Sequence, residues 1–200
     1  MNSMPNMGRL MTMTSYNSSS PIVLLDTTVL CGAIRGEGIN RQILTMAAQT
    51  IDYRVVISRV CLMEFLRNAT HDGIGGAIYP IEIVEGFLNH FVYPILENSP
   101  AVNSRVGRHH WEIVRRNEMK IGKALAEISE LSTEKAVLLA EENGLQKPLR
   151  QYDEQDVHVW VTAIQENCSY IVTNNTRRFP ETIGKIKRIK PGEFYNMVID

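Results

Sequence analysis

The sequence predicts an α/β protein: a three-layer sandwich in which a mostly parallel sheet of roughly four to five strands lies between helices. Two observations lead to this prediction. Short apolar runs of strand length, IVLL at 22–25 and RVVI at 54–57, alternate with segments of helical periodicity. These runs are almost wholly apolar, as in strands that are covered on both faces, and this is typical of parallel sheets.

The first half of the chain supplies strands and helices in turn. We predict a strand at 22–25, helices at 29–34 and 40–50, a strand at 54–57, and helices at 59–69 and 81–89. Ser58 directly precedes the 59–69 helix and is best interpreted as its N-cap. The run FVYPIL at 91–96 predicts a further strand. Pro94 restricts that strand to an edge, because proline has no N–H to donate to a neighbour.

The second half is predicted to begin with a mostly helical insertion at 101–144, broken at Ser132-Thr133, where a hydroxyl can cap a new helix. A helix opening at Asp153 or Asp156 follows, and we then predict a strand at 169–173, a strand at 186–189 and a helix at 191–198. Residues 1–20 are rich in Met, Asn and Ser, and we expect a disordered tail there. Residues 21–200 are expected to form one domain.

Composition narrows the class of protein without identifying it. The formal net charge is −1, so the total charge indicates neither a nucleic-acid nor a membrane partner. No apolar run approaches the ~18 residues of a membrane span. Basic side chains are concentrated at 105–123 and 177–190, with six Lys or Arg in each. Three widely spaced cysteines show no zinc-type spacing, and we expect buried free thiols in a reducing cytoplasm.

Three acids fall at the positions where α/β proteins place functional groups. Asp26 ends a strand, Glu64 interrupts an apolar helix, and Asp156 opens a helix before a strand. Each has a simpler explanation, since Asp26, Asp153 and Asp156 could cap or start helices. Glu64 could pair with Arg67 or Asn68 on its own helix face. Together, carboxylates at the ends of parallel elements can converge, and they then repel one another unless a cation lies between them. Mg²⁺ or Mn²⁺ is the expected partner.

Four stretches of the chain resemble the PIN domain family, a metal-dependent ribonuclease fold found in many bacterial toxins of toxin–antitoxin pairs. They are IVLLDTTVL from 22, SRVCLMEFLRN from 58, DEQDVHVWVTAIQENCSYIVTNNTRRFP from 153 and PGEF from 191. The resemblance implies that Asp26, Glu64 and Asp156 bind Mg²⁺ or Mn²⁺ and act in catalysis. Asn175 is implied as a further catalytic residue. Thr173 is implied as an accessory position.

The chain also departs from the family pattern. The family usually has Asn where Thr28 stands, and many members carry a further acid in the loop after the fourth strand. That loop here holds Asn174 and Asn175, which leaves a second metal site open, with Asp153 as an alternative fourth carboxylate. Backbone contacts to RNA are expected from the basic segments, through Arg105, Arg108, Arg115, Arg116, Arg177 and Arg178.

The sequence therefore predicts a cytoplasmic Mg²⁺- or Mn²⁺-dependent endoribonuclease, a toxin whose partners are RNA, an antitoxin protein and a second copy of the chain, with no membrane partner. The alternative is a PIN-like module that binds RNA or protein without catalysis. A phosphatase-like hydrolase is a third option. Such an enzyme would want a second Asp two residues after Asp26, where Thr28 stands. His158 is interpreted as a neighbour of the site and not as a catalyst.

Overall fold

The computed structural model describes residues 20–49, 52–102, 132–142, 156–176 and 181–199. Two predictions, the tail at 1–20 and the insertion at 101–144, fall largely outside these residues. Within them, no helix is both long enough and apolar enough to cross a membrane.

The described strands form one sheet. They are β1 (Ile22–Leu25), β2 (Arg54–Val56), β3 (Tyr170–Val172), β4 (Thr182–Ile183) and β5 (Ile186–Ile189). Their order across the sheet is β2-β1-β3-β5-β4. The neighbours from β2 to β5 are parallel, and the two-residue β4 is antiparallel at one edge. The predicted α/β class with a mostly parallel sheet is thus confirmed.

Helices connect these strands. The described ones are α1 (Thr27–Arg35), α2 (Ile39–Ala47), α3 (Arg59–Arg67), α4 (Ile81–Phe87), α5 (Tyr93–Asn98), α6 (Thr133–Glu142), α7 (Val157–Gln165) and α8 (Pro191–Ile199). A π-helical turn at Asn68–Asp72 extends α3, and another at Leu88–Val92 joins α4 to α5. Ser58 caps α3 as predicted, since its hydroxyl accepts the N–H of Cys61 at 3.0 Å.

The core is built around β1. Its consecutive residues Val23, Leu24 and Leu25 are all 0% exposed. Because successive side chains of a strand point to opposite faces, both faces of the sheet are covered. Helix α7 packs against β1 and β3 and contributes the fully buried Val159 and Val161. The apolar runs in the sequence therefore mark strands that are buried on both faces.

The strand order reverses beside β1. After β1 the chain forms β2 on one side, and later returns to form β3 on the other side. Leu25 pairs with Val172, and the N–H of Asp26 donates to the carbonyl of Val172 at 3.1 Å. The carboxyl ends of β1 and β3 therefore meet at one crevice, which is where open α/β sheets place their ligands.

The prediction of a strand at 91–96 is wrong. These residues lie in the π-helical turn and in α5, with Val92 and Ile95 buried and Tyr93 48% exposed. Burial at a spacing of three is helical, and a short apolar run alone does not distinguish a strand from a buried helix. Pro94 lies in the first turn of α5, directly after the π-helical turn, and the first turn is where helices tolerate proline.

The predicted helical insertion needs one further correction. At its start, Ala101 and Val102 are not helical, and Val102 pairs with Ser58 in an isolated parallel bridge. The N–H of Val102 donates to the carbonyl of Ile57, which explains why this stretch is not helical. The expected helix start at Ser132-Thr133 agrees with α6, and residues 103–131 and 143–150 lie outside the described part.

Candidate functional site at the β1–β3 crevice

Asp26 is the first residue after β1 and is 3% exposed. Its Oδ2 atom accepts hydrogen bonds from the hydroxyls of Thr173 at 2.6 Å and Thr28 at 2.7 Å. It also accepts a longer bond, 3.4 Å, from the N–H of Thr28, so Asp26 acts as the N-cap of α1. Capping alone does not explain the two hydroxyl bonds, which hold the carboxylate in one orientation.

The loop after β3 faces this carboxylate. Thr173 is 0% exposed and, besides binding Asp26, accepts the N–H of Asn175 at 2.9 Å. The N–H of Asn174 donates to the hydroxyl of Thr28 at 2.9 Å. The polar residues that end β3 are thus attached to the start of α1, across the crevice between the two strands.

Asp156 reaches the same loop from α7. It directly precedes the helix, yet its side chain makes no capping bond to the helix backbone. Its Oδ2 atom accepts a short hydrogen bond from Nδ2 of Asn175. Helix capping therefore does not account for this carboxylate. A continuous series of hydrogen bonds runs from Asp26 through Thr173 and Asn175 to Asp156.

Glu64 joins the group from α3. Its Oε2 atom accepts the hydroxyl of Thr27, the residue next to Asp26, at 2.7 Å. Its Oε1 atom lies 3.1 Å from Nε2 of His158, which is 0% exposed on α7. Arg67, a partner that the sequence had offered, pairs with Asp72 at 2.8 Å. The contacts of Glu64 thus reach across elements, towards both α1 and α7.

His158 and Glu64 form an ion pair in which the imidazole is fully buried. Burial disfavours the charged imidazole, yet Cys61 and Glu64 outweigh that cost and raise the pKa of His158 to about 10. The raised pKa favours the charged imidazolium beside the carboxylate of Glu64.

The pKa of the Cys31 thiol on α1 reflects the negative charges of this region. Burial raises the pKa of Cys31 to about 11, and the nearby carboxylates of Asp26 and Glu64 act in the same direction. A hydrogen bond from Asn68 opposes this shift. Asp26 and Glu64 are thus near enough to influence one thiol together. All three cysteines are free, and Cys61 and Cys168 are buried, as the sequence predicts.

The structure links four of the residues that the sequence singled out, namely Asp26, Thr173, Asn175 and Asp156, and it bonds Glu64 to Thr27, the neighbour of Asp26. The proposed accessory Asp153 lies outside the described residues, as do Arg105, Arg108, Arg115, Arg116, Arg177 and Arg178. The sequence reasoning did not foresee the part played by Thr27, or the hydroxyl of Thr28 as a link to the loop. Their signal was the DTT triplet itself, in which a carboxylate precedes two hydroxyls.

The oxygen ligands of the crevice match the chemistry of a hard divalent cation. Across the described ranges, no group of three or more His, Cys, Asp or Glu side chains is arranged to hold a metal ion. Mg²⁺, however, is commonly held by one or two carboxylates and completes its shell with waters and substrate phosphates. Asp26 and Asp156 are the carboxylates that could take part in such a site.

Comparison with known proteins adds no family to this description. No protein-family model matches the chain, and no curated protein sequence matches it significantly.

Proposed function

We propose that this protein is a PIN-type endoribonuclease that hydrolyses RNA phosphodiester bonds with the help of Mg²⁺ or Mn²⁺. One observation carries the proposal. Two carboxylates from distant parts of the chain, Asp26 and Asp156, are joined through Thr173 and Asn175 at the crevice where the strand order reverses. Ligand sites of open α/β sheets lie at this position, and paired carboxylates there favour a metal-assisted reaction.

The residues take distinct parts in this proposal. Asp26 and Asp156 would hold the ion, and Glu64 would bind it directly or orient its water. The ion would supply an activated water and offset the negative charge of the phosphodiester. Asn175 would position the water or a phosphate oxygen. Thr173 would keep the Asp26 carboxylate in its orientation, and His158 would do the same for Glu64.

The decisive experiment compares metal-dependent RNA cleavage by Asp26→Asn and Asp156→Asn. Each variant is expected to lose on the order of 100-fold in rate, because several kcal/mol of transition-state stabilisation depend on a bound ion. Asp72→Asn is the matched control, since Asp72 is more than half exposed and pairs with Arg67 at the surface. Undiminished cleavage by both crevice variants would refute the proposal.

The proposal includes a toxin role with an antitoxin protein as partner. Its test is growth of a bacterial host on induced expression. The wild-type chain is expected to arrest growth, while Asp26→Asn is expected to permit it at an equal protein level. Growth arrest by both forms would mean that the toxicity does not depend on the proposed metal site.

The second candidate function is a PIN-like module that binds RNA or protein without catalysis. The bond between Asn175 and Asp156 favours this second function, because the amide occupies one oxygen of the Asp156 carboxylate. Many PIN domains carry a further acid in the loop where this chain has Asn175. Calorimetry with Mn²⁺ distinguishes the two functions. A nuclease is expected to bind Mn²⁺ through Asp26 and to lose this binding in Asp26→Asn, whereas RNA binding without any Mn²⁺ uptake would favour the module.

A further inference from the structure

Thr28 lies in the first turn of α1, and its hydroxyl touches three groups of the crevice. Oγ1 is 2.7 Å from Oδ2 of Asp26, 2.9 Å from the backbone nitrogen of Asn174, and 3.2 Å from Oγ1 of Thr173. The reaction proposed above assigns no part to this side chain. Its contacts nevertheless join the carboxylate after β1 to the loop after β3.

The positions of the protons follow from simple counting. A threonine hydroxyl has one hydrogen to donate and two lone pairs that can accept. An ionised carboxylate only accepts, so both Thr28 and Thr173 donate their hydrogen to Asp26. Neither hydroxyl then has a hydrogen left for the other, so the 3.2 Å separation between them is a contact and not a bond. Thr28 therefore donates to Asp26 and accepts from Asn174.

Thr28 holds Asn174 by two bonds. Besides the hydroxyl bond, the carbonyl oxygen of Thr28 accepts Nδ2 of Asn174 at 3.3 Å. The next residue is Asn175, whose side chain reaches Asp156. Any displacement of Asn174 from α1 would therefore be passed along the backbone to the amide that binds the second carboxylate.

We propose that Thr28 is a positioning residue that holds the loop carrying Asn175 in place relative to Asp26. It thereby fixes the positions of the Asp26 and Asp156 carboxylates relative to each other. Its effect on metal binding rests on the function proposed above. The effect of Thr28 on the loop depends on its bonds to Asn174 and is independent of that function; Nδ2 of Asn174 also lies 3.5 Å from Oδ1 of Asn40.

The experiment compares Thr28→Val, which removes the hydroxyl at nearly constant shape, with Thr28→Ser, which retains it. Amide hydrogen exchange, followed by NMR in the full-length protein, reports the loop directly. In Thr28→Val, exchange of the Asn174 N–H is expected to accelerate about tenfold, the worth of one ordinary hydrogen bond. Exchange of the Asn175 side-chain amide is expected to accelerate too. Thr28→Ser is expected to restore both to near wild-type rates.

The second readout is function. Thr28→Val is expected to weaken Mn²⁺ binding and lower kcat about tenfold, with little change in KM for RNA, and Thr28→Ser is expected to keep wild-type values. If Thr28→Val does not fold, Thr28→Ala removes the same hydroxyl and favours a helix. If Thr28 had a purely structural role, Thr28→Val would lower global stability, but Mn²⁺ binding and kcat would not differ between Thr28→Val and Thr28→Ser.

Several outcomes would overturn the inference. Unchanged exchange at Asn174 would mean that the hydroxyl does not hold the loop. Faster exchange with unaltered Mn²⁺ affinity would mean that the loop does not fix the positions of the two carboxylates. A wild-type protein that binds no Mn²⁺ would refute the proposed function, and the positioning role is then decided by the Asn175 side-chain amide. That amide must exchange faster in Thr28→Val and not in Thr28→Ser.

Discussion

The two threonines after Asp26 connect different parts of the molecule, although they are neighbours in the chain. Thr27 donates to Glu64 on α3, whereas Thr28 bonds to Asp26 and to the loop after β3. Successive residues at a helix start point in different directions, so one triplet can reach both sides. At the scale of residues, DTT is therefore a junction between three elements.

The ion pair between Glu64 and His158 predicts a pH-dependent stability. The folded pKa of His158, about 10, exceeds its ordinary value of 6.5, so its contribution is complete below about pH 6.5 and is lost as pH rises through about 10. Glu64→Gln is expected to lower the free energy of unfolding at pH 7 by roughly 1–3 kcal/mol, because a buried charge loses its partner. It is also expected to flatten the decline above pH 6.5.

Urea denaturation at several pH values, with a chelator present, measures both effects. Glu85→Gln is the matched control, because Glu85 is exposed on α4. Parallel pH profiles for Glu64→Gln and the wild type would show that Glu64 does not raise the pKa of His158, and would leave Cys61 as its cause.

At the scale of elements, α3 depends on a buried cap. Ser58 is 0% exposed and accepts the N–H of Cys61 at 3.0 Å, while Ser132 before α6 is exposed and accepts the N–H of Lys135 at 3.3 Å. Ser58→Ala is expected to cost about 1 kcal/mol of stability, with a smaller loss for Ser132→Ala. Thermal or urea unfolding of both variants tests this, and equal losses would show that burial of the cap is unimportant.

The whole molecule depends on the central strand. Leu24 in β1 is 0% exposed, whereas Leu138 in α6 is 55% exposed. Leu24→Ala is expected to lower the free energy of unfolding by about 2–5 kcal/mol, because it removes a buried side chain and leaves a cavity. Leu138→Ala makes the same chemical change at the surface and is expected to cost little. A similar loss for both variants in urea denaturation would place β1 outside the core.

The topology of the whole molecule also creates the crevice. Asp26 and Thr173 are 147 positions apart, yet they lie beside each other because β1 and β3 pair in parallel. Helix α7, which begins directly after Asp156, precedes β3 and packs on the same two strands. Moving β3 to the other side of β2 would leave each acid at its own strand end or helix start, without a shared site.

The sequence by itself determined which segments are strands and helices wherever periodicity or a cap was clear. IVLL predicted a doubly covered strand, and Ser58 predicted the start of α3, since these signals are local. FVYPIL was misjudged because a short apolar run fits a strand or a buried helix, and only packing against the core decides between them.

Tertiary structure decided the partners of the acids. Local reasoning left capping open for Asp26 and Asp156 and pairing with Arg67 open for Glu64. The fold makes Asp26 the N-cap of α1 and gives it two hydroxyl partners. It gives Asp156 an amide partner and places Glu64 between Thr27 and His158. Such contacts depend on strand order and on the close packing of helices against the sheet. Apart from the bonds between Asp26 and Thr28, which lie two positions apart, these contacts join residues that are distant in the chain, so no local pattern in the sequence could specify them.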